Sequence, residues 1–305
     1  MSTLPEFLVI GAAKSGTISL YHYLAQHPDV FMCPVNECNF FALEKADWAS
    51  EYLGPVDRLY VDQHCVKTME SYQALFNDAK SGQAVGESSP LYLFSRTAPF
   101  QIHHHVPKAK IIAILRQPVD RAFSNYQDFR RAGIEPIRDF REAIRAEPLR
   151  HTQGWGPWPF WYYSGMGFYA RQLQTYYDLF GSEQVFVGLY EDLRDDAAGL
   201  MKRIYEFIEV DGTYRLDAST RHNLGGVPRH DWIQQLILKP NSAKNLLKKI
   251  VPEGVRHEIR DRLSDWNTIK ARLDLAVRNE LNEMYREDIA ALQTLIGRDL
   301  SHWLM

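Results

Sequence analysis

The chain has 305 residues, 45% of them apolar and 24% charged, with a formal net charge of −3. That is enough for one large or two small globular domains, and the slight acidic surplus excludes a general nucleic-acid binder, which carries excess Lys and Arg. Three cysteines, Cys33, Cys38 and Cys65, are too few for a disulfide framework and carry no zinc-ligand spacing. No basic-then-apolar leader and no apolar run of membrane-span length is present. A cytoplasmic enzyme or binding protein is expected, with Cys33 and Cys38 as small, partly buried side chains and no metal.

Four apolar runs read as buried strands: "FLVIGA" (7–12), "QAVGES" (83–88), "KIIAILR" (110–116) and "QVFVGLY" (184–190). Helical patterns lie between them, the signature of a parallel sheet with crossover helices. A helix is predicted after the first strand, ending at His27-Pro28. A second begins at Pro118 and closes at Gly133, a favourable start and stop pair. The segment 151–167, "HTQGWGPWPFWYYSGMG", is too rich in Gly, Pro and aromatics for a regular element. It reads as a loop or lid whose Trp and Tyr side chains would wall an acceptor site. From 242 to 305 the pattern is helical, clearest in "LAVRNELNEMYREDIAALQTLI". One domain over 1–305 accounts for all of this.

Two strand–turn–helix units carry chemistry. In the first, Gly11 and Gly16 have phosphate-loop separation, but Lys14 lies inside the loop and Thr17 follows Gly16. A P-loop NTPase places its lysine after the second glycine. Successive backbone N–H groups can still meet an anion at the helix N-terminus, helped by Lys14, Ser15, Thr17 and Ser19. A lysine inside the turn reaches the terminal end of that anion, which suits transfer of a group off a phosphate. A plain strand–helix turn and a degenerate NTPase remain open at this point. In the second unit Arg116 ends a strand and Ser124 follows eight residues on. The arginine can grip a phosphate bidentately, or cap the sheet and pair with Asp120 or Glu87. Two anion sites at the carboxyl ends of parallel strands suggest one nucleotide with two separated phosphates.

"AKSGTISL" and "LRQPVDRAFSNY" together resemble the 5′-phosphosulfate and 3′-phosphate motifs of the sulfotransferases that use 3′-phosphoadenosine-5′-phosphosulfate (PAPS). "YEDL" (190–193) and "LIGRDLSHW" (295–303) extend the resemblance over nearly the whole chain. "HPDVFMCPVNECNFF" and "GESSPLYL" look closest to the bacterial and heparan-type branch. The resemblance implies a three-layer, P-loop-like α/β fold with a central parallel sheet flanked by helices. It implies that Lys14, Ser15, Gly16, Thr17 and Ser19 hold the 5′-phosphate and that Arg116 and Ser124 hold the 3′-phosphate. Tyr190 would lie near the adenine, and Arg221 or Arg229 would cover the 3′-phosphate. Two positions depart from the pattern: Ile18 stands where a second threonine is usual, and Asn36 where a lysine is common.

Sulfuryl transfer needs a base for the acceptor proton. The phenol-sulfating relatives use a histidine that "ESSPLY" lacks. The heparan-type glutamate matches Glu37 in "NECNFF", which is therefore the expected base, with a structural pairing to Lys14 or an arginine as the alternative. Glu87 would orient the acceptor or pair with Arg116. The run His103-His104-His105 lacks helical ligand spacing and reads as one buried and two solvated side chains. The expected activity is direct in-line transfer from PAPS, leaving 3′-phosphoadenosine-5′-phosphate (PAP), to a small-molecule hydroxyl or amine, with a carbohydrate acceptor next. A non-catalytic PAP binder and a nucleotide-kinase-like phosphotransferase are the other classes.

Overall fold

The computed structural model describes residues 4–43, 65–153, 161–217, 226–230, 233, 262–263, 266–269 and 271–305. Five parallel strands form the central sheet: β1 (Phe7–Gly11), β2 (Val30–Met32), β3 (Ala84–Ser88), β4 (Lys110–Leu115) and β5 (Val185–Leu189). Their order is β2-β3-β1-β4-β5. In register, Val9 lies opposite Ser88 on one side and Ile112 on the other. The chain leaves β1 toward β2 and later crosses β1 to reach β4. β1 is thus the point where the winding reverses, and open sheets of this kind bind ligands outside the strand ends there.

The alternation of strand side chains divides the core into two layers. Leu8, Ile10, Ile111, Ala113 and Leu115 pack on one face with Ile102, Val119, Leu173 and Tyr285. Phe7, Val9, Ile112 and Ile114 pack on the other with Leu20, Leu24, Leu200 and Ile204. Those partners come from the helices Ala98–His105, Pro118–Arg131, Tyr169–Phe180 and Leu275–Ile296 on the first face, and Thr17–Leu24 and Ala197–Phe207 on the second. The three-layer α/β architecture expected from the sequence is the one observed.

Four of the five strands follow the predicted runs within a residue. β2 was not expected, because three residues behind a proline carry no readable alternation. The first helix ends at Leu24, ahead of His27-Pro28, because the backbone turns there: the Gln26 and His27 N–H groups donate to Tyr23 O and Leu24 O. The Asp29 N–H donates to His27 Nδ1 at 3.1 Å, setting the entry to β2. The second predicted helix spans Pro118–Arg131, with the Gln117 side chain accepting from the Asp120 N–H. The long C-terminal helix, Leu275–Ile296, is capped by Asp274 and closed by Gly297 at φ 64°. Residues 242–261 of the predicted helical tail lie outside the described residues.

The aromatic segment departs most from expectation. Trp161 and Tyr163 are fully buried core residues, and Gly165–Gly167 forms a 3-10 turn. The Tyr163 hydroxyl donates to Glu135 at 2.7 Å, and Glu135 pairs bidentately with Arg150 at 2.8 Å through both nitrogens. Charged groups sealed from water need such complete pairing. The described part of the segment is therefore anchored inside the molecule rather than open as a wall, while 154–160 lie outside the described residues.

Candidate active site

The loop after β1 is shaped for an anion. Lys14 and Gly16 adopt left-handed φ of 68° and 89°, turning successive N–H groups toward one side. A side chain at Gly16 has no room, since a Cβ there would lie 2.5 Å from Leu193 Cδ2. Tyr190 packs against the same point, with its ring edge 3.4 Å from that Cβ position. Ser15 Oγ is fully buried and makes no hydrogen bond among the described residues. The Tyr169 hydroxyl beside it is committed to Arg116 O at 3.0 Å. A buried, unsatisfied hydroxyl in a glycine cradle is what an incoming phosphate oxygen satisfies. Thr17 is buried and Ser19 half-buried on the helix that follows.

Arg116 leaves the end of β4 and meets this loop directly. Its Nη1 donates to Lys14 O at 3.2 Å, and its guanidinium lies 4.7 Å from the Tyr190 ring centre. Lys14, Gly16, Arg116 and Tyr190, spread over 176 positions, thus converge at the carboxyl end of the sheet. The alternative partners of Arg116 are engaged elsewhere. Asp120 pairs with Arg278, and Glu87 is sealed by the Tyr72 and Tyr92 hydroxyls at 2.9 and 3.0 Å and by Ser89. Burial pushes the Glu87 carboxyl above its ordinary pKa, and those hydroxyl donors temper the shift. Its observed role is to brace the end of β3.

That brace positions Glu37. The Glu37 N–H donates to Ser88 O at 2.9 Å and the Asn39 N–H to Ser89 Oγ at 3.0 Å. Glu37 and Asn39 hold left-handed φ of 61° and 54°, a conformation that non-glycine residues adopt at a cost and that often marks functional sites. Half-buried, the Glu37 carboxyl is pushed above its ordinary range by burial. The Lys14 charge pulls it back, and Asp128 pushes it further up. Glu37 makes no ion pair with Lys14.

Lys14 pairs instead with Asp128, Nζ to Oδ2 at 3.0 Å, and Arg131 holds the other oxygen at 2.5 Å. The sequence reading missed Asp128. Its signal was present: it lies four residues after Ser124, so both occupy one face of the Pro118–Arg131 helix. Ser124 is half-buried there. Arg229 is exposed, with its guanidinium 5.6 Å from the Trp266 ring centre, and Arg221 lies outside the described residues. His103 and His105 are half-buried against Phe180 and Phe41, and His104 is exposed; none is fully buried as expected. Among the described residues no cluster of metal-ligating side chains occurs. Cys33, Cys38 and Cys65 are buried, and no disulfide joins them.

The two remaining motifs meet behind the site. Asp192 of "YEDL" is bound through both oxygens by Arg298 of the closing segment, at 2.6 and 2.9 Å. Those bonds hold the Asp192 carboxyl below its ordinary pKa against burial. Trp303 Nε1 donates to Glu191 at 3.0 Å. These contacts tie the short helix that begins at Tyr190 to the closing segment.

A parallel sheet whose reversal point carries a glycine cradle and a facing arginine belongs to the open α/β class, in which ligands bind outside the strand ends. The match of residues 4–293 to the sulfotransferase domain model narrows the class, and the chain belongs to the sulfotransferase family. A crystal structure of a sulfotransferase from Alicyclobacillus acidocaldarius superimposes with a TM-score of 0.77 at 31% identity, covering 99% of this chain and all of that one. Human bifunctional heparan sulfate N-deacetylase/N-sulfotransferase 3 is 32% identical over 68% of the chain, and human heparan sulfate glucosamine 3-O-sulfotransferase 6 is 30% identical over 67%. The alignments span only 22% and 52% of those two proteins. No described helix is long and apolar enough to cross a membrane.

Proposed function

We propose that the chain transfers a sulfuryl group from PAPS to a hydroxyl or amine, and the convergence of Lys14, Arg116 and the Gly16 cradle carries this reading. Two cationic side chains on separate strand–helix units suit a nucleotide with phosphates at both ends. Bound PAPS supplies the activated sulfuryl group. Ser15, Thr17, Ser19 and the loop N–H groups hold the 5′-phosphate, Arg116 and Ser124 the 3′-phosphate, and Tyr190 the adenine side. Lys14 exchanges Asp128 for the bridging oxygen and stabilises the charge that grows there as the bond to sulfur breaks. Glu37 accepts the acceptor proton as the new bond to sulfur forms, so that PAP and the sulfated acceptor leave. Its raised pKa moves it toward a useful range for a base.

The sequence favoured a small-molecule acceptor. The relatives named as heparan sulfate sulfotransferases support a carbohydrate as the next choice, and the proposed mechanism is the same for either. The test is PAPS consumption against a panel of hydroxyl and amine acceptors, oligosaccharides included. Acceptor-dependent release of PAP is expected. PAP binding with no PAPS turnover on any acceptor would leave a non-catalytic binder, and turnover of Mg-ATP instead would make the chain a phosphotransferase.

A further inference from the structure

A second cluster of positive charge lies outside this centre. The pocket has a volume of about 380 Å³, within the roughly 300–1,000 Å³ of ordinary small-molecule sites. It opens between the Pro118–Arg131 helix, the start of the Leu275–Ile296 helix and a short antiparallel pair, Val227–Pro228 with Thr268–Ile269. Five arginines line it: Arg130, Arg138, Arg141, Arg229 and Arg272. Its floor is aromatic, made by Phe123, Tyr126 and Phe140, whose rings pack with centroids 5.1 to 6.2 Å apart.

The arrangement is built rather than incidental. Buried Arg130 is aimed by its bond to Glu135 O at 2.6 Å, and Tyr126 is fixed through its hydroxyl to Ile137 O at 3.2 Å. Arg141 Nε is buried and forms an ion pair with the Glu280 carboxylate at 3.5 Å, a third acid beside the site. The lining holds two acids, and each spends an oxygen on a helix start. Asp139 accepts from the Glu142 N–H at 2.9 Å, and Asp274 from the Ala276 N–H at 2.7 Å. Positive charge therefore dominates around an apolar floor. Phe123, Tyr126 and Arg130 also lie on a different face of their helix from Ser124 and Asp128, so the pocket adjoins the nucleotide side without sharing those two residues.

We infer that this pocket binds a small organic anion, a sulfonate, sulfate or carboxylate on a flat apolar body, with the arginines gripping the charged end and the aromatic floor taking the ring. Such an anion has two possible sources, a charged end of the acceptor or a separate effector. Arginine matches the planar geometry of these groups through paired charge-assisted bonds.

The test titrates benzenesulfonate and the neutral benzenesulfonamide into the protein saturated with PAP. The proteins are wild type and the double variant Arg138→Ala/Arg272→Ala, whose two side chains are exposed. PAP is titrated first on both proteins, so a failure there concerns the nucleotide reading and leaves the sulfonate titration to be done without it. Saturable binding of the sulfonate is expected, at least tenfold weaker for the amide and for the double variant, with PAP affinity equal in both proteins. Equal binding of sulfonate and amide, no saturable binding, or a parallel loss of PAP affinity in the variant would overturn the inference. With an acceptor in turnover, a raised acceptor KM at constant kcat assigns the pocket to the acceptor, and a changed kcat at constant KM assigns it to an effector. Binding that alters neither constant means adventitious anion binding only, and overturns it as well.

Discussion

Asp128→Asn releases the loop lysine from its resting partner. Lys14 and Asp128 lie 3.0 Å apart with 21% and 35% of their side chains exposed. A pair so open to water is worth roughly 1 kcal/mol, well short of its bare Coulomb energy. An anion entering the cradle must compete with Asp128 for that ammonium. Removing the competition should tighten PAP by about fivefold, since about 1 kcal/mol corresponds to that factor. The same substitution removes a like charge near Glu37, so the acid limb of the kcat/KM profile moves to lower pH. Calorimetric titration of PAP on both proteins, with pH–rate profiles, reads the two effects. A weaker PAP titration in the variant, or an acid limb displaced upward, would refute the view of Asp128 as a competitor for Lys14.

Glu37→Gln should lower kcat by roughly 10²–10⁴-fold, the range for a general base, and leave PAP affinity within about twofold; near-full turnover would remove Glu37 from its role. In the wild type, kcat/KM rises with pH through the raised Glu37 pKa and levels off above it, because only the carboxylate accepts a proton. Glu147, buried and bound by the Ser164 N–H and hydroxyl, is pushed by burial to about 6. The native state thus holds this proton more tightly than the unfolded chain, so its contribution to stability is lost as pH rises from about 4.5 to about 6, by about 2 kcal/mol. Urea unfolding across that range should show Glu147→Gln losing less stability with pH than the wild type; identical slopes contradict the assignment. Gly16→Ala forces a methyl to within 2.5 Å of Leu193 at a φ of 89°, so it should cost about 1–3 kcal/mol, read as a fall in Tm, and should weaken PAP.

What the sequence disclosed is what short-range pattern encodes. Apolar runs bounded by Gly, Pro and charged residues gave β1, β3, β4 and β5, and the two loop–helix units gave Lys14, Gly16 and Arg116, which the fold brings together. β2 escaped because it is an edge strand of three residues. Asp128 escaped because a charge on an amphipathic helix looks solvated until the opposite loop supplies Lys14. The aromatic segment was misjudged because Trp161 and Tyr163 look like surface-loop residues locally, while the buried Glu135–Arg150 pair that anchors Tyr163 is distant in sequence. Likewise the Asp192–Arg298 clasp joins two motifs 106 positions apart, and neither motif names its partner. The arginine pocket is the same kind of feature, assembled from segments near 130, 140, 229 and 272.

The central claim is a site for a nucleotide with two separated phosphates, and calorimetry of PAP against AMP and Mg-ATP, on wild type and Arg116→Ala, tests it most directly. PAP should bind at least tenfold more tightly than AMP. Arg116→Ala should weaken PAP by about 1.5–3 kcal/mol, as expected for a lost charge-assisted bond, and leave AMP nearly unchanged. Equal affinity for PAP and AMP, or a preference for Mg-ATP, would contradict the assignment of the two strand–helix units to one nucleotide.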